Sequence, residues 1–358
     1  MRQNRVDAVL NHLEDMGLSQ ILITDPLSIY YLTGRMIQPL ERFYGLYLNR
    51  QGGHKIFINQ LETVPEDLGV EKVRFSDTDP YLDLVAQAVD SRQPLGVDKN
   101  MAARFLLPLL HREAAAGFVN ASLAVDQARA VKDEVEQELM RKASQLNDTA
   151  MAELRPWIRS GVSELELAEQ LRQIYKELGA DGVSFPPLVA FGANAASGHH
   201  WPDGTRLQPG DCVLIDTGCI YQGYCSDMTR TYFYQTVTQR QRQVYEVVRQ
   251  ANEQAEQAVR PGVPLRELDG IARGIITEAG FGPNFTHRLG HFIGMEDHEF
   301  GDVSSAAEDT AVPGNIFSIE PGVYLEGELG VRIEDLVLVT ENGCELLNHA
   351  PKTLEVIE

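Results

Sequence analysis

The sequence predicts two domains: an α/β domain over residues 1–122 and a larger domain of helices and strands over residues 123–358. Three observations predict this. A length of 358 residues fits two domains of ordinary size. Short apolar runs alternate with amphipathic ones through the first third, the pattern of α/β units. A long charged helical stretch, 125–154, then separates that alternation from a second series of strands and helices.

In chain order, Val6, Val9, Leu10, Leu13 and Met16 recur at helical spacing, and Ile21-Leu22-Ile23 reads as a buried strand. Residues 44–48 and 55–58 flank Arg50-Gln51-Gly52-Gly53, which predicts a hairpin. Further strand and helix segments follow at 72–75, 81–89, 96–98 and 102–110. The stretch 125–154 contains Lys132-Asp133-Glu134 and ends before Pro156, so one solvated helix joining the domains is expected. Beyond it the pattern predicts helix 163–178, strands near 186–191, 212–219 and 224–235, helices 238–258 and 264–279, and strands near 316–324 and 330–340.

Lys and Arg total 31 against 52 Asp and Glu, a formal net charge of −21. Phosphate backbones and anionic lipid repel such a chain, which argues against nucleic-acid or membrane-surface partners. No apolar run approaches the length of a transmembrane helix. The start, Met1-Arg2-Gln3-Asn4-Arg5, is charged where a signal peptide needs an apolar core, so a cytoplasmic protein is expected. Cys212, Cys219, Cys225 and Cys344 form no C-x-x-C and read as free thiols.

The chemistry lies in the second domain. Asp216, in Leu214-Ile215-Asp216-Thr217-Gly218, and Asp227, in Cys225-Ser226-Asp227-Met228-Thr229, interrupt runs that otherwise read as strand. With a turn at Tyr221-Gln222-Gly223 they lie nearly opposite each other, at the roughly 4.5–5.5 Å of cross-strand Cβ neighbours. A cation resolves the repulsion; two exposed loop aspartates are the alternative. Glu320 and Glu334 form a second such pair, equidistant from Gly327 and embedded in apolar sequence, where an unpaired charge is costly. Five of the nine histidines fall between residues 199 and 298: His199, His200, His287, His291 and His298. His287 and His291 are four apart, but Arg288 stands where a zinc-protease H-E-x-x-H needs its Glu, and Gly290 weakens the helix.

Taken in order, Asp216, Asp227, His291, Glu320 and Glu334 resemble the five-ligand pattern of the pita-bread metallopeptidases: methionine and Xaa-Pro aminopeptidases, prolidases, and the metal-free creatinases. The similarity covers nearly the whole chain. Tyr30-Tyr31-Leu32-Thr33-Gly34 also resembles a recurrent segment of the N-terminal domain in this group. The resemblance implies an α/β N-terminal creatinase-like domain (1–122) followed by an α+β pita-bread metallopeptidase domain (123–358). Length and N-terminal domain look like a short bacterial Xaa-Pro dipeptidase (prolidase) or Xaa-Pro aminopeptidase. A non-catalytic binding protein on the same fold is a further alternative, although such relatives lose ligands and this chain keeps all five.

The implied centre holds two divalent cations against four carboxylates. Oxygen-rich ligation favours Mn²⁺, with Co²⁺ or Zn²⁺ able to substitute. By resemblance Asp227 and Glu334 bridge the ions, Asp216 binds one, and His291 and Glu320 bind the other. Glu320 takes the proton of the attacking water, His199 faces the substrate, and His298 stabilises the tetrahedral intermediate or assists the leaving nitrogen. His200 reads as a solvent-facing neighbour. Thr229 and Arg332, two residues from ligands, share their strand face and are expected to support them. Implied partners are short proline-containing peptides and a second copy of the chain.

Three positions depart from the family pattern. Phe292 replaces the glycine usual after the ligand histidine and is expected to crowd the pocket. Asp297 replaces an apolar residue. An arginine common near Ala306, able to anchor a proline carboxylate, is missing; Glu41-Arg42 of the N-terminal domain is a candidate substitute, a solvated surface pair being the alternative reading.

Overall fold

Six strands of the first third form one mixed sheet in the computed structural model, which describes residues 1–65 and 67–358. They are β1 (Gln20–Ile23), β2 (Gly45–Asn49), β3 (Lys55–Asn59), β4 (Glu71–Phe75), β5 (Pro94–Val97) and β6 (Gly117–Asn120), in the order β4-β3-β2-β1-β5-β6. β1–β2 and β2–β3 are antiparallel, whereas β3–β4, β1–β5 and β5–β6 are parallel. β1 is buried at every position, as expected of a central strand covered on both faces. The first helix, Gln3–Asp15, buries Val6, Val9 and Leu13, the stripe its spacing predicts. Phe43, Phe57, Phe75, Tyr81 and Phe105 pack as an aromatic cluster within this unit.

The chain divides into two compact units, Met1–Arg129 and Ala130–Glu358. The single helix expected over 125–154 is two, Ser122–Ala130 and Glu134–Leu154. Asp133 ends the continuity. Its carboxylate accepts from Glu136 N at 3.0 Å while the Glu136 carboxylate accepts from Asp133 N at 3.0 Å, a capping box that starts a new helix.

In the second unit, β7 (Gly182–Val183), β10 (Cys219–Tyr221) and β11 (Tyr224–Cys225) form one small sheet. β8 (Leu188–Phe191), β9 (Cys212–Thr217), β12 (Met228–Tyr234) and β20 (Val356–Ile357) form a second. β13 (Gly290–Phe292), β14 (Glu299–Val303), β15 (Ile316–Ile319), β18 (Asp335–Thr340) and β19 (Gly343–Leu346) form a third, and β16 (Gly322–Leu325) pairs with β17 (Leu329–Arg332). Helices 134–154, 164–177, 239–258 and 265–278 pack their apolar faces on these sheets. Each long strand expected from sequence is thus broken once. At the break at 218 the backbone passes so close to Ser226 that a Cβ would lie 1.8 Å from its carbonyl oxygen, so only glycine fits. All four cysteines are free; three are buried and Cys344 is half-buried.

A buried ionic network braces the strand that leaves Glu334. Arg230 Nη1 donates to the Glu334 carbonyl at 2.7 Å, and Nη2 donates to Asp335 Oδ1 at 2.6 Å and to the Ala350 carbonyl at 2.7 Å. Lys352 Nζ completes it, 2.8 Å from Asp335 Oδ2 and 2.6 Å from Glu256 Oε2. Removing one partner strands the other charge in a dry interior. The Arg230→Leu protein is expected to lose about 3–5 kcal/mol in urea unfolding. A loss under about 1 kcal/mol would show that Lys352 alone satisfies Asp335.

Candidate active site

The acids sit where ladders begin or break. The turn of the β10–β11 hairpin is Gln222-Gly223, both at positive φ (48° and 83°), with Tyr221 opposite Tyr224. Two positive φ values suit the right-handed strand twist. In the continuing register Asp216 of β9 faces Thr229 of β12. Asp227 lies two residues before Thr229, so it is the diagonal neighbour of Asp216 rather than its opposite number. The β15–β18 ladder ends at Ile319↔Asp335 and the β16–β17 ladder begins at Gly322↔Arg332. Both share one register, which leaves Glu320 across from Glu334 in the gap. His291 lies on β13, whose next residue, Phe292, pairs with Phe317 of β15.

Two buried asparagines fix the backbone beside these acids. From helix 134–154, Asn147 Nδ2 donates to the Thr217 carbonyl at 2.8 Å. From helix 239–258, Asn252 Nδ2 donates to the Ile319 carbonyl at 2.9 Å and the Ile333 carbonyl at 3.4 Å, the residues just before Glu320 and Glu334. Each asparagine is fully buried and spends its amide on a carbonyl that a strand break would otherwise orphan.

His291 Nε2 lies 3.5 Å from Asp227 Oδ2 and 3.6 Å from Glu320 Oε1. Ligand atoms of Asp227, His291 and Glu334 all fall within 4.8 Å of one another. Burial, reinforced by Glu334 and Asp297, pushes the Asp227 carboxyl far above the ordinary range. Burial, with Glu320 and Asp216, does the same to Glu334. Burial, with Asp216 adding to it, lifts Glu320 to about 8. His291 moves the other way, to about 3, through burial and its stacking partner His298, the rings 3.8 Å apart. The imidazole is therefore neutral, and its Nδ1 faces the Phe292 carbonyl at 3.3 Å, which leaves Nε2 as an acceptor toward the acids.

These residues fit a cation. Asp216 Oδ1, Asp227 Oδ1 and Glu334 Oε1 are buried without a hydrogen-bond partner. Buried carboxylate oxygens without donors are rare unless an ion satisfies them. Their other oxygens are held. Thr229 Oγ1 donates to Glu334 Oε2 at 2.7 Å, Arg332 Nη2 to Asp216 Oδ2 at 2.5 Å, and Arg332 Nε to Thr229 Oγ1 at 3.1 Å. The orientation of two acids thus passes through Thr229 and Arg332.

The acids open onto a cavity of about 600 Å³ that is also lined by His199, His287, Arg288, Asp297, His298 and Tyr324. His287, Tyr324 and Arg288 are additions that sequence reasoning did not assign to the site. Arg332 Nη1 donates to the Tyr324 hydroxyl at 2.7 Å. Burial and nearby Arg332 lower His287 to about 4, and its Nδ1 lies 2.7 Å from the Arg288 carbonyl. Neutral His287 therefore carries its proton on Nδ1, and Nε2 accepts from Tyr324 at 2.9 Å. Arg288 Nη2 approaches His298 Nδ1 at 2.9 Å, which makes Nδ1 the acceptor and leaves the His298 proton on Nε2.

Other expectations are changed by the geometry. Phe292 does not crowd the cavity. Strand alternation turns its ring to the core side, 4% exposed, against Phe317. His200 is not a solvent-facing neighbour, because its Nε2 lies 2.7 Å from the buried Glu164 carboxylate. That carboxylate also accepts from the Phe191, Asn194 and Asp203 nitrogens and so pins the segment carrying the exposed His199. Arg42 belongs to the first unit, where Nε and Nη2 pair with Asp77 at 2.8 and 3.1 Å and Nη1 with Glu41 at 3.2 Å.

An acid-lined pocket with buried unsatisfied oxygens and a neutral imidazole, on paired antiparallel sheets, is suited to holding a cation. Residues 138–341 match metallopeptidase family M24, and residues 5–131 match the creatinase/prolidase N-terminal domain. The chain belongs to the M24 family, with a creatinase-type N-terminal domain ahead of a pita-bread domain. It is 35% identical to an uncharacterized peptidase of Staphylococcus aureus (strain USA300), over 97% of this chain and 99% of that one. Among solved structures it is similar to a dipeptidase from Mycobacterium ulcerans (33% identity, TM-score 0.92, covering 99% and 98% of the two chains). It is also similar to an Xaa-Pro dipeptidase from Bacillus anthracis (28%, TM-score 0.91, covering 99% and 100%).

Proposed function

We propose that the protein is a dinuclear-metal Xaa-Pro dipeptidase. The observation that carries this reading is the set of buried, partnerless oxygens on Asp216, Asp227 and Glu334 beside the acceptor nitrogen of His291. Asp216, Asp227, His291, Glu320 and Glu334 are the proposed ligands. Two divalent ions bring the charge to neutralise four carboxylates; when bound they lower the pKa of a water and polarise the scissile carbonyl. Mn²⁺ suits an oxygen-rich set, and Co²⁺ or Zn²⁺ can substitute.

The chain's own residues do the rest. Glu320 accepts a proton from the attacking water, with Ser318 Oγ 3.3 Å from its Oε1. His298, its Nδ1 held by Arg288 and its protonated Nε2 3.5 Å from Asp297 Oδ2, turns that proton to the tetrahedral oxygen or the leaving proline nitrogen when substrate is bound. His199, on the segment pinned by Glu164, meets the peptide from the cavity's other wall. Thr229 and Arg332 keep Glu334 and Asp216 oriented.

The dipeptidase reading is supported by similarity to proteins described as dipeptidase and Xaa-Pro dipeptidase. A homodimer and a cytoplasmic location belong to the same reading. No described helix is long and apolar enough to cross a membrane. The deciding experiment is hydrolysis of Xaa-Pro dipeptides against Xaa-Pro-Yaa tripeptides by the Mn²⁺-loaded protein. Cleavage of dipeptides alone is expected, and preference for tripeptides would make it an Xaa-Pro aminopeptidase.

Arg42 is proposed to anchor the proline carboxylate, exchanging part of its pairing with Asp77 for substrate. Arg42→Ala is then expected to raise the dipeptide KM about tenfold or more with kcat little changed, as for loss of one charged hydrogen bond. An unchanged KM removes Arg42 from recognition.

A further inference from the structure

The cavity holds one acid more than the five-residue set uses. Asp297 lies on the turn 293–298 between β13 and β14 and lines the cavity. Its Oδ1 is buried without a partner, and its carboxyl is within hydrogen-bonding reach of Asp227. Its one ion-pair neighbour among the described residues is His298, whose Nε2 is 3.5 Å from Oδ2. Asp227 and Glu334 beside it are 4% and 1% exposed, each with an oxygen left unsatisfied.

The turn that presents Asp297 is not loose. Glu299 Oε1 accepts from Met295 N at 2.9 Å, and Glu299 Oε2 meets Lys132 Nζ at 3.1 Å in a buried ion pair. Cys225 N donates to the Gly294 carbonyl at 2.7 Å, tying the turn to the residue two before Asp227. A Cβ on Gly294 would come within 2.7 Å of the Glu299 carboxylate, which would have to shift to admit it. A fixed carboxylate held against another carboxylate, with no donor for its inner oxygen, is the local chemistry of a hard cation's coordination sphere.

We propose that Asp297 is a further contributor to the cation centre, tightening its Asp216–Asp227 side for hard, oxygen-preferring divalent ions such as Mn²⁺. The proposal rests on the metal-centre reading above. Its added anionic oxygen favours Mn²⁺ more than Zn²⁺, which gains more from nitrogen and sulfur ligands. If instead Asp297 only shares a proton with Asp227, removing it would leave cation affinity unchanged or improve it.

The test is metal binding, independent of turnover. Metal-free wild type, Asp297→Asn, Asp297→Val and Glu334→Ala are titrated with Mn²⁺, free ion being read by electron paramagnetic resonance, and with Zn²⁺ against a competing chelator. Both Asp297 variants are expected to bind Mn²⁺ about 10–100-fold more weakly. Zn²⁺ binding is expected to fall by less, so the Mn²⁺/Zn²⁺ preference drops. Unchanged or tighter Mn²⁺ binding in the Asp297 variants, with Glu334→Ala defective, overturns the role of Asp297 and leaves the metal centre standing. Wild type that binds neither ion overturns both. Near-UV circular dichroism establishes that each variant is folded; if the valine protein is not, the near-isosteric asparagine decides.

Discussion

The Glu320→Ala protein is expected to fold normally and to hydrolyse Xaa-Pro substrate at least about 10³-fold more slowly than wild type. Two losses combine. On the proposed reading one is the base that would receive the water's proton; the other is an oxygen 3.6 Å from His291 Nε2 that would help hold the cations. Glu320→Gln separates them, because the amide keeps size and an oxygen but cannot take a proton at neutral pH. Single-turnover rates at saturating Mn²⁺ are the measurement. A glutamine protein within tenfold of wild type would assign proton transfer elsewhere, His298 being the first candidate. Since the carboxylate sits in a break between ladders, its removal disturbs no strand hydrogen bond, and stability is expected to change little in the metal-free state.

Metal removal is expected to make stability fall as pH rises. In the metal-free fold burial and neighbouring acids raise Glu320 from 4.5 to about 8, and Asp297 from 3.8 to about 7. A carboxyl raised in the fold contributes stability that is intact below its unfolded pKa and is lost as pH climbs through the folded value. The Tm of metal-free protein should therefore decline between pH 6.5 and 8.5. His287 works in the opposite direction. Lowered from 6.5 to about 4, it contributes stability above pH 6.5 that is lost as pH falls through 4, so the upper range isolates the acids. On the proposed reading Mn²⁺ would take the place of those protons, and the Tm increment on adding it is expected to widen with pH. An increment independent of pH would mean that binding releases no protons and that the acids are already ionised.

The order and identity of the central acids were legible because each is a charge inside an apolar run, where it needs a partner. Glu320 and Glu334 were legible even in register, since equal spacing from Gly327 survives the break in the ladders. Asp216 and Asp227 were misjudged by one step because the turn centre falls between Gln222 and Gly223 rather than on Gln222. The break at Asp133 was written in the sequence as D-x-x-E, but a cap inside a charged run looks like more helix. His287, Arg288 and Tyr324 were not legible. Their roles depend on hydrogen bonds to Arg332 and His298, between segments that no local pattern brings together. Asn147 and Asn252 left a fainter signal, a lone amide on the buried face of an amphipathic helix.

Gly301 is held twice over, by the Phe292 ring and by its own backbone. The Phe292 ring, turned away from the cavity, fills space in which a Cβ on Gly301 would come within 2.7 Å of it, and Gly301 sits at φ +107° besides. The ring on one strand and the missing side chain on the next form one packing arrangement. Varied singly, each position offers only losses: a void behind the histidine strand in one case, a collision in the other. Shrinking Phe292 removes the collision but not the positive φ, so position 301 stays closed to other residues. Screens that randomise the two positions jointly are therefore expected to return glycine at 301 whatever stands at 292.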